Sequence, residues 1–174
     1  KYSFYKLVWH REVEPKVFQS VRCWTSMSGY ILAALSGVLS FDYSLASRTM
    51  FFDQNNRQWS QELLDIIGVP LEKMSQLTPS GIVLGTIQKD IARFTGLPEN
   101  LQVVTGGHDH LCAAVAVGVF KQGQVLISTG TTENLTMALD AIPHIDFSQL
   151  KRSFSWGHHA IPERYYGMSG IYSG

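Results

Sequence analysis

One short segment of the sequence places an acidic residue between two histidines, directly after two glycines. It occupies residues 105–110 and reads Thr-Gly-Gly-His-Asp-His. Asp109 could accept a proton from a substrate hydroxyl, and the glycines before it would let a ligand approach the backbone closely. A carboxylate at the start of a helix can equally be a simple helix cap. The segment alone therefore leaves a catalytic and a structural interpretation open.

A second segment combines glycine with several hydroxyl side chains. Residues 128–132 read Ser-Thr-Gly-Thr-Thr and lie between two apolar stretches, which predicts a tight hairpin turn. Backbone amides and hydroxyl groups in such a turn can form a nest that binds nucleotide phosphates. An ordinary turn has a similar composition, and the sequence contains no Walker motif. The segment is a candidate phosphate site and a weaker signal than a P-loop.

The histidines raise the question of a metal site. His108 and His110 flank Asp109, and His158 and His159 follow later in the chain. A His–Asp cluster of the kind found in metal-dependent phosphohydrolases needs a defined set of further ligands, which this spacing does not supply. We therefore predict no metal bound by protein side chains. We expect His108 and His110 to hydrogen-bond a polar substrate or simply to pack.

Composition and charge narrow the class of protein. The chain has 174 residues and a formal net charge of zero, with 45% hydrophobic and 16% charged residues. These values are typical of a globular protein, and the neutral balance argues against a nucleic-acid partner, which needs a surplus of Lys and Arg. No apolar run approaches the roughly 20 residues of a membrane-spanning helix, and no secretory signal sequence opens the chain. We therefore predict a cytoplasmic protein without a membrane partner.

Helices are the main elements predicted for the first hundred residues. Pro15 suits the first turn of a short helix, because its missing N–H needs no partner there. Ser60 is placed to cap another helix, and Gly68 is placed to end it. Further helices are predicted after the serines at 26 and 28, after Asp42 or Ser44, and over residues 88–94.

The pattern changes near residue 101, where short apolar runs separated by turn residues predict strands. Residues 103–104 are predicted to form a buried strand and residues 110–117 a helix of small residues. Later strands are predicted at residues 124–128, 134–139, 154–159 and 164–168. Ligands gather at the carboxyl ends of strands in open α/β sheets, which favours a site after the first of these strands. We place a change of domain between about residues 100 and 120.

Five motifs, taken in order along the chain, resemble those of the FGGY carbohydrate kinases. Residues 2–9 resemble the first signature of that family. Residues 42–53 are similar to the stretch that precedes a tryptophan in glycerol and xylulose kinases, and the tryptophan here is Trp59. The other three are the Gly-x-Val-x-Gly segment at 81–85, the Gly-Asp-Gln-type loop at 105–110 and the Gly-Thr hairpin at 130–131.

The resemblance implies an α/β fold of the actin-like ATPase (ribonuclease H-like) type. It implies the end of a first, sugar-binding domain over residues 1–118 and the beginning of a second, ATP-binding domain over residues 119–174. It also implies transfer of the γ-phosphoryl group of ATP, with Mg²⁺, to a hydroxyl of a sugar, polyol or sugar acid. A ketopentose such as xylulose is the favoured acceptor, and a homodimer is a further expectation. The alternative is an actin-fold ATP-binding regulatory module without kinase activity.

The resemblance also assigns roles to individual residues. The catalytic Asp of the family falls on Asp109, and its substrate-binding positions fall on His110 and His108. The phosphate-binding residues fall on Gly130, Thr131 and Thr132. Asp109 is expected to orient the substrate hydroxyl and to accept its proton late in the reaction.

Three departures from the family pattern shape the remaining expectations. His10 and Val13 differ from the first signature, and Lys1 stands where glycerol kinases have a tyrosine that contacts the substrate. Glycerol is therefore not the expected acceptor. The first phosphate-binding hairpin and the adenine-binding segment of the family are not found in the sequence. We accordingly predict an internal piece of a longer enzyme, and expect the isolated 174-residue polypeptide to phosphorylate nothing.

Overall fold

Helices and short strands alternate through the first part of the chain, whereas longer antiparallel strands dominate the last part. The computed structural model describes residues 2–130, 132–144 and 154–172. Lys1 and Thr131, both singled out in the sequence, lie outside the described residues. Two units are distinguished, unit 1 with residues Lys1–Gly106 and unit 2 with residues Gly107–Gly174.

Unit 1 contains six α-helices and six short strands among its described residues. The helices are α1 (Ser3–Val13), α2 (Pro15–Ser20), α3 (Met27–Ser36), α4 (Tyr43–Ala46), α5 (Gln61–Ile67) and α6 (Lys89–Thr95). The strands are β1 (Ser40–Asp42), β2 (Phe52–Asp53), β3 (Gln58–Trp59), β4 (Gln76–Thr78), β5 (Val83–Thr86) and β6 (Gln102–Val104). Strand β1 pairs with β4 in parallel, whereas β2 with β3 and β5 with β6 form antiparallel pairs.

The helix boundaries of unit 1 follow from local capping. The Ser60 hydroxyl accepts a hydrogen bond from the Leu63 N–H at 3.4 Å, which satisfies one of the free amides of α5. Helix α5 ends at Gly68, whose φ of 69° is the left-handed conformation that glycine adopts without a steric cost. Ser26 caps α3 in the same way, and Pro15 begins α2. These predicted boundaries are confirmed.

Two apolar cores hold unit 1 together. The larger core joins α1, α5 and the β2–β3 hairpin, with Phe51 and Leu64 fully buried. Trp59 is 7% exposed, and its Nε1 donates a hydrogen bond to the Ser75 carbonyl at 2.8 Å. A buried indole with a satisfied N–H provides both apolar contact and a fixed orientation. The smaller core joins α3, α6 and β6 through Leu32, Ile87, Ala92 and Val103.

Unit 2 is built from one helix and four strands in its described part. These are α7 (Asp109–Ala116), β7 (Val125–Thr129), β8 (Thr132–Leu139), β9 (Ser155–His158) and β10 (Tyr165–Tyr172). The strands form an antiparallel sheet in the order β7-β8-β10-β9. Leu111 of α7 packs with Tyr166 and Met168 of β10 in a buried cluster. The predicted strands are confirmed, and β10 continues beyond residue 168 because it pairs with β8 as far as Tyr172.

Strands β1 and β4 were not predicted from the sequence. Ser40 pairs with Gln76 and Asp42 with Thr78, so Thr78 belongs to a strand. Both strands are short and rich in polar side chains, so neither has the apolar alternation that predicts a strand.

In the part of the chain that the structure describes, no helix has the length and apolarity needed to cross a bilayer.

Candidate active site

The connection between β6 and α7 carries the predicted catalytic residue. Strand β6 ends at Val104 and α7 begins at Asp109, so residues 105–108 form the turn between a strand and a helix. The Asp109 side chain is 86% exposed, although Thr105 at the start of the same turn is only 3% exposed. The carboxylate therefore faces solvent and is accessible to a ligand.

Asp109 makes its protein contacts through one carboxylate oxygen. Oδ1 accepts a hydrogen bond from the His110 N–H at 2.8 Å and lies 3.2 Å from Nδ1 of His108. Among the described residues every polar contact of this carboxylate uses Oδ1, which leaves Oδ2 available to a ligand. The helix N-terminus favours the negative charge at this position.

The helix-cap interpretation of Asp109 needs a correction of position. His108 occupies the N-cap position of α7 without a side-chain cap hydrogen bond, and Asp109 is the first helical residue. Its carboxylate still accepts a hydrogen bond from one of the free amides at the helix start. Contact with the helix and contact with a ligand are therefore compatible, because they use different oxygens.

The two flanking histidines lie together beside this carboxylate. The rings of His108 and His110 are stacked, with centroids 5.6 Å apart and an interplanar angle of 25°. The His108 side chain is 16% exposed, so its ring is largely covered while the Asp109 carboxylate is open. Each neutral imidazole offers one donor and one acceptor. The three side chains together can hydrogen-bond a ligand that carries several hydroxyl groups and can accept a proton from one of them.

Two of the three predicted phosphate-binding residues, Gly130 and Thr132, lie where β7 ends and β8 begins. Strand β7 ends at Thr129 and β8 begins at Thr132, and both Gly130 and Thr132 are exposed. A Cβ added at Gly130 would meet only the Thr132 carbonyl oxygen, at 3.8 Å. Apart from the two chain neighbours of Gly130, no other described atom lies within 4 Å of that position. The prediction for Thr131 falls outside the described residues.

The other pair of histidines is found in a different environment. His158 and His159 are both buried at the end of β9. The Ile161 N–H donates to Nδ1 of His159 at 3.1 Å, and burial lowers the pKa of this imidazole. Among the residues described, no group of three or more His, Cys, Asp or Glu side chains has the arrangement of a metal site.

Thr105 lies at the start of the turn that leads to Asp109, and the sequence did not predict its contacts. The motif suggested only a turn, but the structure buries the Thr105 hydroxyl against the loop that precedes β5. Its partners are Pro79 and Ile82, more than twenty residues earlier in the chain. A local sequence pattern carries no signal for such contacts.

The fold and the motifs together define a family of phosphotransferases. The chain belongs to the FGGY family of carbohydrate kinases, because the model of the N-terminal domain of that family matches residues 1–116. The match covers all of unit 1 and all of α7, including Asp109 and its two histidines.

Individual proteins similar to this chain are also named as sugar kinases. The L-fuculokinase of Salmonella typhi is 32% identical over 133 residues, which cover 76% of this chain and 28% of that protein. The xylulose kinase of Bacillus subtilis (strain 168) is 29% identical over 127 residues, which cover 73% of this chain and 26% of that protein. The chain therefore spans between a quarter and a third of the length of these curated relatives.

A solved structure agrees with the fold over almost the whole chain. A xyloylose kinase from Brucella ovis matches with a TM-score of 0.90 and 27% identity, over 99% of this chain and 35% of that chain. The predicted fold class, a partial α/β fold of the actin-like ATPase type, is confirmed.

Proposed function

We propose that this protein is an ATP-dependent kinase that phosphorylates a hydroxyl group of a sugar, polyol or sugar acid. A ketopentose such as xylulose is the favoured acceptor. The observation that carries the proposal is the exposed Asp109 carboxylate at the start of α7, with one oxygen held by the helix and the other available. Membership of the FGGY family and the likeness to relatives named L-fuculokinase and xylulose kinase support it.

Asp109 is the proposed catalytic base. Phosphoryl transfer usually has a loose transition state, so the protein mainly positions the reacting groups and neutralises charge. The available Oδ2 would accept a hydrogen bond from the acceptor hydroxyl, orient its oxygen for in-line attack and take its proton late in the reaction. Because Oδ1 is held by the His110 N–H, the direction in which Oδ2 points is restricted. Positioning is therefore the larger part of the role.

The neighbouring residues have supporting roles in this proposal. His108 and His110 would hydrogen-bond further hydroxyl groups of the acceptor, which suits their position beside Asp109. Gly130, Thr131 and Thr132 would bind the phosphates of ATP, and the open space at Gly130 suits that role. ATP supplies the phosphoryl group, and Mg²⁺ bound with it neutralises phosphate charge.

Several features of the whole protein remain predictions. The domain limits at residues 1–118 and 119–174 and the homodimer are proposed on the same resemblance, whereas the cytoplasmic location and the absence of a nucleic-acid partner are proposed on the composition and charge of the sequence. The inactivity of the isolated 174-residue polypeptide is proposed as well.

Substitution of the proposed base tests the function. In the full-length protein, Asp109→Asn should lower kcat for sugar phosphorylation by about 10²- to 10⁴-fold, because the amide cannot accept the proton. The measurement is a coupled ADP-release assay with a panel of pentuloses, polyols and aldonic acids. Asp90→Asn is the matched control, since Asp90 is also an exposed acidic residue in the first turn of a helix. Unchanged phosphorylation in Asp109→Asn would contradict the role of Asp109 as the base, and a wild-type protein that phosphorylates no member of the panel would favour the regulatory module.

A further inference from the structure

We propose that Thr105 is a positioning residue, an inference that rests on the function proposed above. Its buried hydroxyl fixes the backbone at the end of β6, four residues before Asp109. Thr105 does not touch the substrate in this proposal. It acts through the backbone that leads to the catalytic carboxylate.

The Thr105 side chain links two backbone groups of one loop. Its Oγ1 donates a hydrogen bond to the Pro79 carbonyl at 2.9 Å and accepts one from the Ile82 N–H at 2.8 Å. Its own main chain binds the same loop, since its N–H donates to the Ile82 carbonyl and its carbonyl accepts from the Gly81 N–H, each at 2.9 Å. Four hydrogen bonds therefore hold one residue directly after the last β6 ladder position.

The loop that receives these hydrogen bonds is itself anchored in the interior of unit 1. Ser80 is buried, and its hydroxyl donates to Oδ1 of Asp42 at 3.4 Å. The buried hydroxyls of Ser40 and Thr78 are 2.6 Å apart and join β1 to β4 just before the loop. Asp42 also caps α4. The contacts of Thr105 thus connect the end of β6 to a loop that is itself held by buried hydrogen bonds.

The residues that follow Thr105 explain why such an anchor matters. Gly106 and Gly107 have no side chains to restrict the backbone, and a Cβ added at Gly106 would meet nothing within 4 Å. A displacement of about 1 Å at a reacting group can cost about 100-fold in rate. The hydroxyl at position 105 is well suited to limit such displacement, because it fixes the last side chain before the two glycines.

A matched pair of substitutions in the full-length protein tests this role. Thr105→Val keeps the shape of the side chain but removes the hydroxyl, whereas Thr105→Ser keeps the hydroxyl. We expect Thr105→Val to lower kcat for sugar phosphorylation by about 10- to 100-fold with KM for ATP almost unchanged. Thr105→Ser should stay within about threefold of the wild type, because both side-chain hydrogen bonds can form.

A second readout separates positioning from loss of folding. Asp109 would act on the sugar hydroxyl, so ATP hydrolysis without sugar should stay within about twofold of the wild type in Thr105→Val. Rates are referred to folded protein, measured by circular dichroism. Equal losses in both reactions, or a kcat for sugar equal to that of the wild type, would overturn the proposal. If Thr105→Val does not fold, Ser80→Ala tests the same brace with an expected loss of about two- to fivefold, and wild-type kcat in that variant overturns it.

Asp109→Asn, measured in parallel, distinguishes the two proposals. An inactive Asp109→Asn together with a fully active Thr105→Val would contradict the positioning role of Thr105 and support the proposed kinase function. A fully active Asp109→Asn would remove the kinase mechanism on which the positioning role depends.

Discussion

Two aspartates at the starts of helices show how differently the same residue type is used in the two units. Asp42 is the N-cap of α4 and is 3% exposed, whereas Asp109 begins α7 with its side chain open to solvent. Oδ1 of Asp42 accepts hydrogen bonds from the amides of Ser44 and Leu45 and from the hydroxyls of Ser44 and Ser80. Burial, rather than position on a helix, separates the structural carboxylate from the candidate catalytic one.

Replacement of each aspartate by alanine should give the largest difference between the two residues, measured as the loss of unfolding free energy. Asp42→Ala removes a helix cap and leaves buried amide and hydroxyl groups without their acceptor, so the free energy of unfolding should fall by about 2–4 kcal/mol. Asp109→Ala should lower it by less than about 1 kcal/mol, because water replaces an exposed carboxylate. Urea unfolding followed by circular dichroism measures both values. Equal losses in the two variants would break the distinction drawn from burial.

Two glycines show the same difference between a buried and an open position, here in the packing around the backbone. A Cβ added at Gly29 would lie 2.1 Å from Oγ1 of Thr25 and 2.6 Å from the Ser40 carbonyl oxygen, so Gly29→Ala forces α3 away from β1. We expect a loss of about 1–3 kcal/mol in unfolding free energy. Gly106→Ala should change it by less than about 0.5 kcal/mol, because the space around Gly106 is open. Equal melting temperatures for the two variants would contradict the packing described for β1.

The acid dependence of stability gives a smaller test inside unit 2. Burial lowers the pKa of His159, so the unfolded chain takes up a proton near the ordinary value of 6.5 while the folded protein still resists it. Its contribution to stability is therefore complete above pH 6.5 and is lost as the pH falls below that value. Melting temperatures at pH 7.5 and pH 5 should differ less in His159→Asn than in the wild type. A larger difference in the variant would show that this imidazole is not kept neutral by the fold.

Local signals explain most of what the sequence predicted correctly. The helix that begins after Ser60 and ends at Gly68 needs only its own cap and its own glycine, so its limits could be predicted. Strands β1 and β4 could not, because three-residue polar strands depend on pairing between residues far apart in the chain, such as Ser40 and Thr78. Tertiary contacts decide such segments, and their own composition does not.

The candidate site shows the same division. The turn glycines and the strand–turn–helix order predicted that Asp109 would lie in the turn between a strand and a helix, and the structure makes it the first residue of that helix. The buried contacts of Thr105 were not predictable, since its hydroxyl binds Pro79 across 26 positions of sequence. The motif therefore identified the residue proposed to do chemistry, and the structure was needed to find the residue proposed to hold it.

The buried indole of Trp59 provides an optical reporter of the larger core of unit 1. Its ring is enclosed and packs edge-on against Phe41, with ring centroids 5.3 Å apart, whereas Trp9 is half exposed on α1. An enclosed indole emits at shorter wavelength than a hydrated one. With the other three tryptophans replaced by phenylalanine, a red shift in emission would record the opening of this core alone. Loss of α5 packing could then be followed in real time, separately from any change at the β7–β10 sheet.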